Sequence, residues 1–223
     1  MEQDGQVATR IVVRPLASGL PLGFLAFSLG MLMLAGVSLS WVPVPALPTA
    51  GLILAAFVAP AEFLAAVLAA LARDTGAAVS LGLFSTSWLA LGLNYLAGGG
   101  ISAATGLYLV GFSVVLLILA TPALMGRPLL GAILLLAAVR GAFAAVYQFG
   151  GPPGWSRLAD GVIALVIVTL GWYAGLAFLL EEVQNRTVLP TGRRGPARQA
   201  FDESRADSQL QDLPRQAGIR RQL

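Results

Sequence analysis

The chain has no cysteine, no histidine and no lysine among its 223 residues. Without cysteine there is no disulfide, and no thiolate to serve as nucleophile or soft metal ligand. Without histidine, the commonest zinc ligand and the usual partner of a catalytic serine are both missing. Any proton relay must therefore run through Asp, Glu, Tyr or water. Charge is also scarce, at 11% of residues, and none falls between Pro15 and Ala61. A soluble domain of this size does not leave such a gap, so the chain is built for a bilayer.

What is present agrees. The chain is 57% hydrophobic with a mean hydropathy of +0.80. Its apolar residues form long continuous runs rather than the ten-residue alternation of a membrane β-barrel. Six runs reach the ~20 residues that a helix needs to cross the hydrocarbon core. They lie near 20–41, 50–72, 77–97, 103–124, 128–148 and 156–182. The fold class expected is an all-α polytopic membrane protein with six transmembrane helices. The organising stretch is Leu20–Phe27, with a helix-starting proline, small residues and two phenylalanines; it is expected to form the entrance and part of the narrow section of a transport pathway.

The basic balance belongs to one end. From Arg186 onward the net charge is +4, whereas the rest of the chain carries −1. Residues 1–14 read as a short polar leader rather than a cleaved signal, 15–192 as the membrane domain, and 193–223 as an Arg-rich tail that is too polar to bury a core. The tail mixes both signs around a single aromatic, Phe201, which argues against nucleic-acid binding. Arg10, Arg14, Arg73, Arg127 and the tail flank alternate ends of the spans; the other three connections contain no Arg. The positive-inside rule therefore places both termini in the cytoplasm. Trp41, Tyr95, Tyr147 and Trp155 supply an aromatic belt at the opposite ends. The chain is expected to be multi-pass in the plasma (inner) membrane.

Two charges, Glu62 and Arg140, lie at membrane depth, where such residues face a bundle interior or a watery cavity. Three readings stand open. They form a structural ion pair; or Arg140 offers positive potential to an anion, or Glu62 takes up and releases a proton; or they are two unrelated charges facing different cavities. Pro60 frees the carbonyl of Ala56 and should bend its helix beside Glu62. Ser80, Ser87 and Asn94 recur at seven-residue spacing with Phe84 between them, hence on one helical face. Ser85 and Thr86 widen that patch. Such hydroxyls either bond helices together or line a passage for a carboxylate. Gly19-x-x-x-Gly23 and Gly171-x-x-x-Gly175 allow close helix approach, within a subunit or between subunits. No phosphate-binding loop, metal constellation or nucleophile–base pair occurs, so neither an enzyme nor a cofactor is expected.

The exit of the sixth span, Tyr173-Ala174-Gly175-Leu176 followed by Glu182-Val183-Gln184-Asn185-Arg186-Thr187-Val188-Leu189-Pro190-Thr191-Gly192, resembles the closing segment of the succinate–acetate permease family. Pro21-Leu22-Gly23-Phe24 resembles the second half of that family's opening signature, although Ser18-Gly19-Leu20 stands where the family has Asn-Pro-Ala. The resemblance spans about 15–192. It implies transport of acetate or related small monocarboxylates, with succinate a further substrate, by a channel-like or proton-coupled route. It also implies a homo-hexamer in which each subunit has its own pore. In that family a Phe, a Tyr and a Leu narrow the pore. The Phe maps to Phe27, the Tyr position to Ser87 (or, with a gap, Trp88), and the Leu to Leu134–Leu136, centred on Leu135. Pro21, Gly23, Ser80, Phe84, Thr86 and Arg140 are the further pore-lining candidates. A pore for small neutral solutes such as urea, and a membrane scaffold or sensor acting through the tail, are the alternatives.

Overall fold

The computed structural model describes residues 17–150, 154–184 and 186–194. The polar leader and the tail beyond Arg194 lie outside the described residues. Six long apolar helices account for nearly all of the rest: α1 (Leu20–Ser38), α2 (Val44–Leu71), α3 (Thr75–Leu96), α4 (Ala103–Gly126), α5 (Pro128–Gly150) and α6 (Gly154–Gln184). At ~1.5 Å per residue, even the shortest is close to the thickness of a hydrocarbon core.

The helix ends follow from local chemistry. Pro21 sits in the first turn of α1, where a missing N–H costs nothing. The run Trp41-Val42-Pro43-Val44-Pro45 ends one helix and begins the next. Pro45 and Pro48 occupy first-turn positions of a 3₁₀ turn and of the α-helix after it, so α2 starts six residues before its expected start at 50. Asp74 caps α3, its carboxylate accepting from the Ala77 amide at 3.1 Å. Ser102 caps α4 in the same way. Pro122 does not stop α4, which continues through it to Gly126.

Pro60, expected to bend α2, is accommodated by a widening of the helix. Leu54–Val58 forms a π-helical turn immediately before it, a common accommodation where the normal ladder loses a donor. Ser85 of α3 donates to the carbonyl of Ala59 at 2.9 Å, tying the disturbed stretch to its neighbour.

The helices pack as three pairs: α2 with α3, α4 with α5, and the sequence-distant α1 with α6. α1 also contacts α2, and α5 contacts α6, whereas α3 and α4 barely touch. The α3–α4 seam is spanned by an Asn94–Thr105 hydrogen bond of 3.2 Å and by Phe84 against Phe112, ring centroids 5.5 Å apart. Both small-residue pairs serve packing inside the subunit. Gly171 and Gly175 let α6 close on Ser28 and Leu25 of α1, and Gly19 and Gly23 let α1 close on α2 and α3.

Both ends of the described chain leave the bundle at the same end. The amide of Ser18 donates to Glu182, and the segment after α6 folds back underneath. There Thr187 and Arg193 both donate to Glu181, Tyr173 donates to the carbonyl of Pro190, and the Arg194 amide donates to Gly126. Gly192 turns this strap with φ +71 and lies against Pro128. Arg193 and Arg194, expected to begin a free tail, are thus held against the bundle.

Candidate functional site

A series of cavities runs through the bundle, and neighbouring cavities share walls; α1, α3, α4 and α5 line the narrow part, and α2 and α6 join them at the mouth. At the end carrying Tyr95 and Tyr147, a vestibule of about 320 Å³ opens between the helix ends. Its walls include Asn94, Arg140, Arg157 and Asp160. A chamber of about 20 Å³ follows, bounded by Ser87, Phe84, Trp88 and Phe112, and Arg140 borders both spaces. A second chamber of about 20 Å³ lies beyond, between Phe24, Phe27, Ser80, Phe84 and Leu134. Phe84 is common to the two small chambers. Ser80 and Leu130 then lead to a pocket of about 580 Å³ beside Asp74, Arg127 and Arg194, and Leu20 leads to another of about 310 Å³ beside Glu181 and Arg193.

The narrow section is aromatic. Phe27 of α1 meets Phe84 of α3 edge-on, with centroids 4.7 Å apart. Trp88 packs against both, at 6.0 Å from Phe27 and 6.3 Å from Phe84. Each small chamber has room for about one water molecule. Passage of anything larger requires these rings to move.

The polar face read from α3 runs the length of this series. Asn94 borders the vestibule, Ser87 the first small chamber, and Ser80 both the second chamber and the wide pocket beyond. Seven-residue spacing places one hydroxyl or amide in each compartment. Thr86 is not among them: it is exposed on the outside of α3 and donates back to the carbonyl of Leu83 at 2.9 Å. Gly23 and Pro21 are buried at the start of α1, Gly23 beneath Leu81 and Ala65, where it serves helix packing. Leu135 lies on the outer face of α5 at 40% exposure, and Leu134, 1% exposed, borders the chamber. One residue of register is 100° of helix rotation, which decides between lipid and lumen.

Glu62 and Arg140 do not pair. Arg140, 7% exposed, holds its Nε 3.0 Å from Oδ1 of Asp160, though without the alignment of a hydrogen bond. The other oxygen of Asp160 accepts from the Ser38 hydroxyl. Arg157 donates to the carbonyl of Val37 at 2.9 Å and lies over the Tyr147 ring at 5.1 Å. The vestibule therefore sets two guanidiniums against one carboxylate, a site of net positive charge partly screened from water. Glu62 is fully buried and borders none of these cavities. Its Oε1 accepts from the indole Nε1 of Trp88 at 2.9 Å.

Asp160 and Arg157 escaped sequence reading because they fall in the first turns of α6. Charges near a helix end read as solvated, and nothing in the sequence aims them inward. Their three-residue spacing, which puts both on one face, was the available signal.

No protein-family model matches the chain, and no curated protein is similar to it in sequence. Among solved structures, a bacterial acetate channel, SatP, shares the fold at a TM-score of 0.70. The similarity covers 80% of this chain and all of that one, with 22% of residues identical.

Proposed function

We propose that this protein is a divergent relative of the succinate–acetate permeases and carries acetate or a related small monocarboxylate across the membrane, through a pathway within each subunit. The observation that carries the reading is the continuous series of cavities. It joins a positively charged vestibule to an aromatic constriction and then to pockets at the other end. Cationic groups at the mouth raise the local concentration of small anions, and hydroxyls replace part of their hydration. Arg140 is the first anion contact, Ser87 and Ser80 flank the constriction, and Phe27 and Phe84 form it. The fold shared with the acetate channel supports this assignment.

In this reading the end carrying Arg73, Arg127 and Arg193 faces the cytoplasm and the vestibule faces outward, in the plasma or inner membrane. Six subunits assemble around a common axis, as the family resemblance implies. Uptake of radiolabelled acetate into proteoliposomes, across mildly acidic to neutral pH, tests the function. Uptake no greater than into empty vesicles, with other small monocarboxylates equally inert, refutes it.

A second reading has one observation in its favour. The constriction offers only ring faces and aliphatic carbons, which suit a small neutral solute such as urea as well as an acid. Flux that is independent of membrane potential and unaffected by loss of Arg140 would select it.

A further inference from the structure

Glu62 is the one fully buried carboxylate of the described residues, it borders none of the cavities described above, and its hydrogen bond is to the constriction. The Trp88 indole is held from three directions. Its Nε1–H donates to Glu62 Oε1 at 2.9 Å. Its face lies along Phe84, with an interplanar angle of 24°. Its benzo edge lies over Gly30 of α1, so closely that a methyl group there would fall 2.9 Å from the ring. The side chain is 1% exposed and borders the first small chamber, which is the space into which the ring could turn. A buried carboxyl group is costly, and this one has a single hydrogen bond to offset that cost, the one from the Trp88 indole; its other oxygen has no partner.

We propose that Glu62 is a positioning residue: it orients Trp88, and Trp88 in that orientation sets the size of solute that passes Phe27 and Phe84. The inference rests on the transport reading above, but not on acetate as the solute. Glu62 acts from α2, which contributes no residue to the two small chambers, and reaches them only through the indole. The π-helical turn and Pro60, immediately before it, set the rotation at which α2 presents Glu62 to α3. Gly30 provides the floor on which the ring rests. Together these fix the wall of the first small chamber without placing a charge inside it.

The test uses the full chain in liposomes and measures swelling rates for neutral solutes of increasing size: urea, glycerol and erythritol. Trp88→Phe should raise erythritol permeability relative to urea by roughly tenfold, the lower range of what a methylene-sized change does to discrimination in a fitted pocket. Glu62→Leu should shift the ratio in the same direction, because the freed indole loses its one polar anchor. Glu62→Gln keeps an acceptor at the same place and should retain the wild-type ratio. The indole N–H resonances, with that of Trp88 identified by its absence in Trp88→Phe, give a readout independent of flux. Trp88 should stay slowly exchanging in wild type and in Glu62→Gln and become fast in Glu62→Leu.

An unchanged solute series in Trp88→Phe, or a Glu62→Leu protein that keeps both the series and the slow indole exchange, overturns the inference. So does a Glu62→Gln protein that behaves as Glu62→Leu, since the acceptor would then not be what matters. If wild type carries no acetate but the neutral-solute ratio moves as described, the carboxylate reading fails and the positioning role stands.

Discussion

Arg140 of α5 and Asp160 of α6 meet at 3.0 Å where the vestibule narrows toward the constriction. Both are nearly inaccessible to water, and the Ser38 hydroxyl completes one side of the carboxylate. Removing one member of such a pair leaves an uncompensated buried charge, at a cost of about 3–5 kcal/mol.

The pair therefore separates folding from transport. Arg140→Gln alone should lower the melting temperature and abolish carboxylate uptake. Adding Asp160→Asn should restore most of the melting temperature, because no buried charge is left alone. Uptake should stay lost, because the guanidinium is still missing. Thermal melts in detergent and labelled acetate uptake, on the single and double variants, check this. Recovery of uptake in the double variant would remove Arg140 from the solute's route.

At the constriction, Phe27→Ala deletes one of the two rings whose centroids stand 4.7 Å apart. Stability should fall, since truncating a buried Phe costs about 3–5 kcal/mol. Solute flux per folded protein should nevertheless rise, and discrimination by size should decline. Swelling rates normalised to folded protein test this. A fall in flux would mean that the ring guides solute rather than limiting it.

The strap under the bundle gives a test of the tail. Arg193 bonds Glu181 and lies over the Phe178 ring at 5.2 Å, and the Arg194 amide bonds Gly126. Ending the chain after Arg194 keeps these contacts and should leave transport unchanged. Ending it after Gln184 removes them and should lower the melting temperature. Loss of transport on removing only 195–223 would favour a protein acting through its tail.

The α2–α3 contact depends on two glycines. A methyl group on Gly92 would lie 2.7 Å from the carbonyl oxygen of Gly51 and 2.9 Å from the amide nitrogen of Ala55, both backbone atoms that cannot turn aside. Gly92→Ala gains up to about 1 kcal/mol in helix propensity. Overpacking costs about 1–3 kcal/mol, so the variant should be less stable. A melt of Gly92→Ala measures the balance, and a rise would show that the helices separate easily.

These contacts mark how far the sequence could be read. The six spans were legible because hydropathy and proline act locally, whereas the start of α2 lay six residues earlier, since Pro45 and Pro48 fit first turns instead of blocking the helix. The polar face of Ser80, Ser87 and Asn94 was legible because helical periodicity is fixed by backbone geometry. Leu134 against Leu135 was not, since one residue of register exceeds what a carried-over motif position can settle. The partner of Arg140 was also out of reach. Glu62 matched it in depth along the spans, but depth says nothing about which helices adjoin. α2 and α5 do not pack against one another, and α6 brings Asp160 to Arg140 instead.

By itself, the sequence determined that this is a six-helix membrane protein with few charges inside its spans. Residue type and spacing suffice for that, because a bilayer imposes one length and one pattern of apolarity on every span. Only the tertiary structure decided which buried groups meet. It paired Arg140 with Asp160, gave Glu62 to Trp88 and put Phe27 against Phe84. The reason is physical: within a membrane all helix surfaces are similarly apolar. Which faces come together is then settled by small-residue fit and a few polar contacts between segments far apart in the chain.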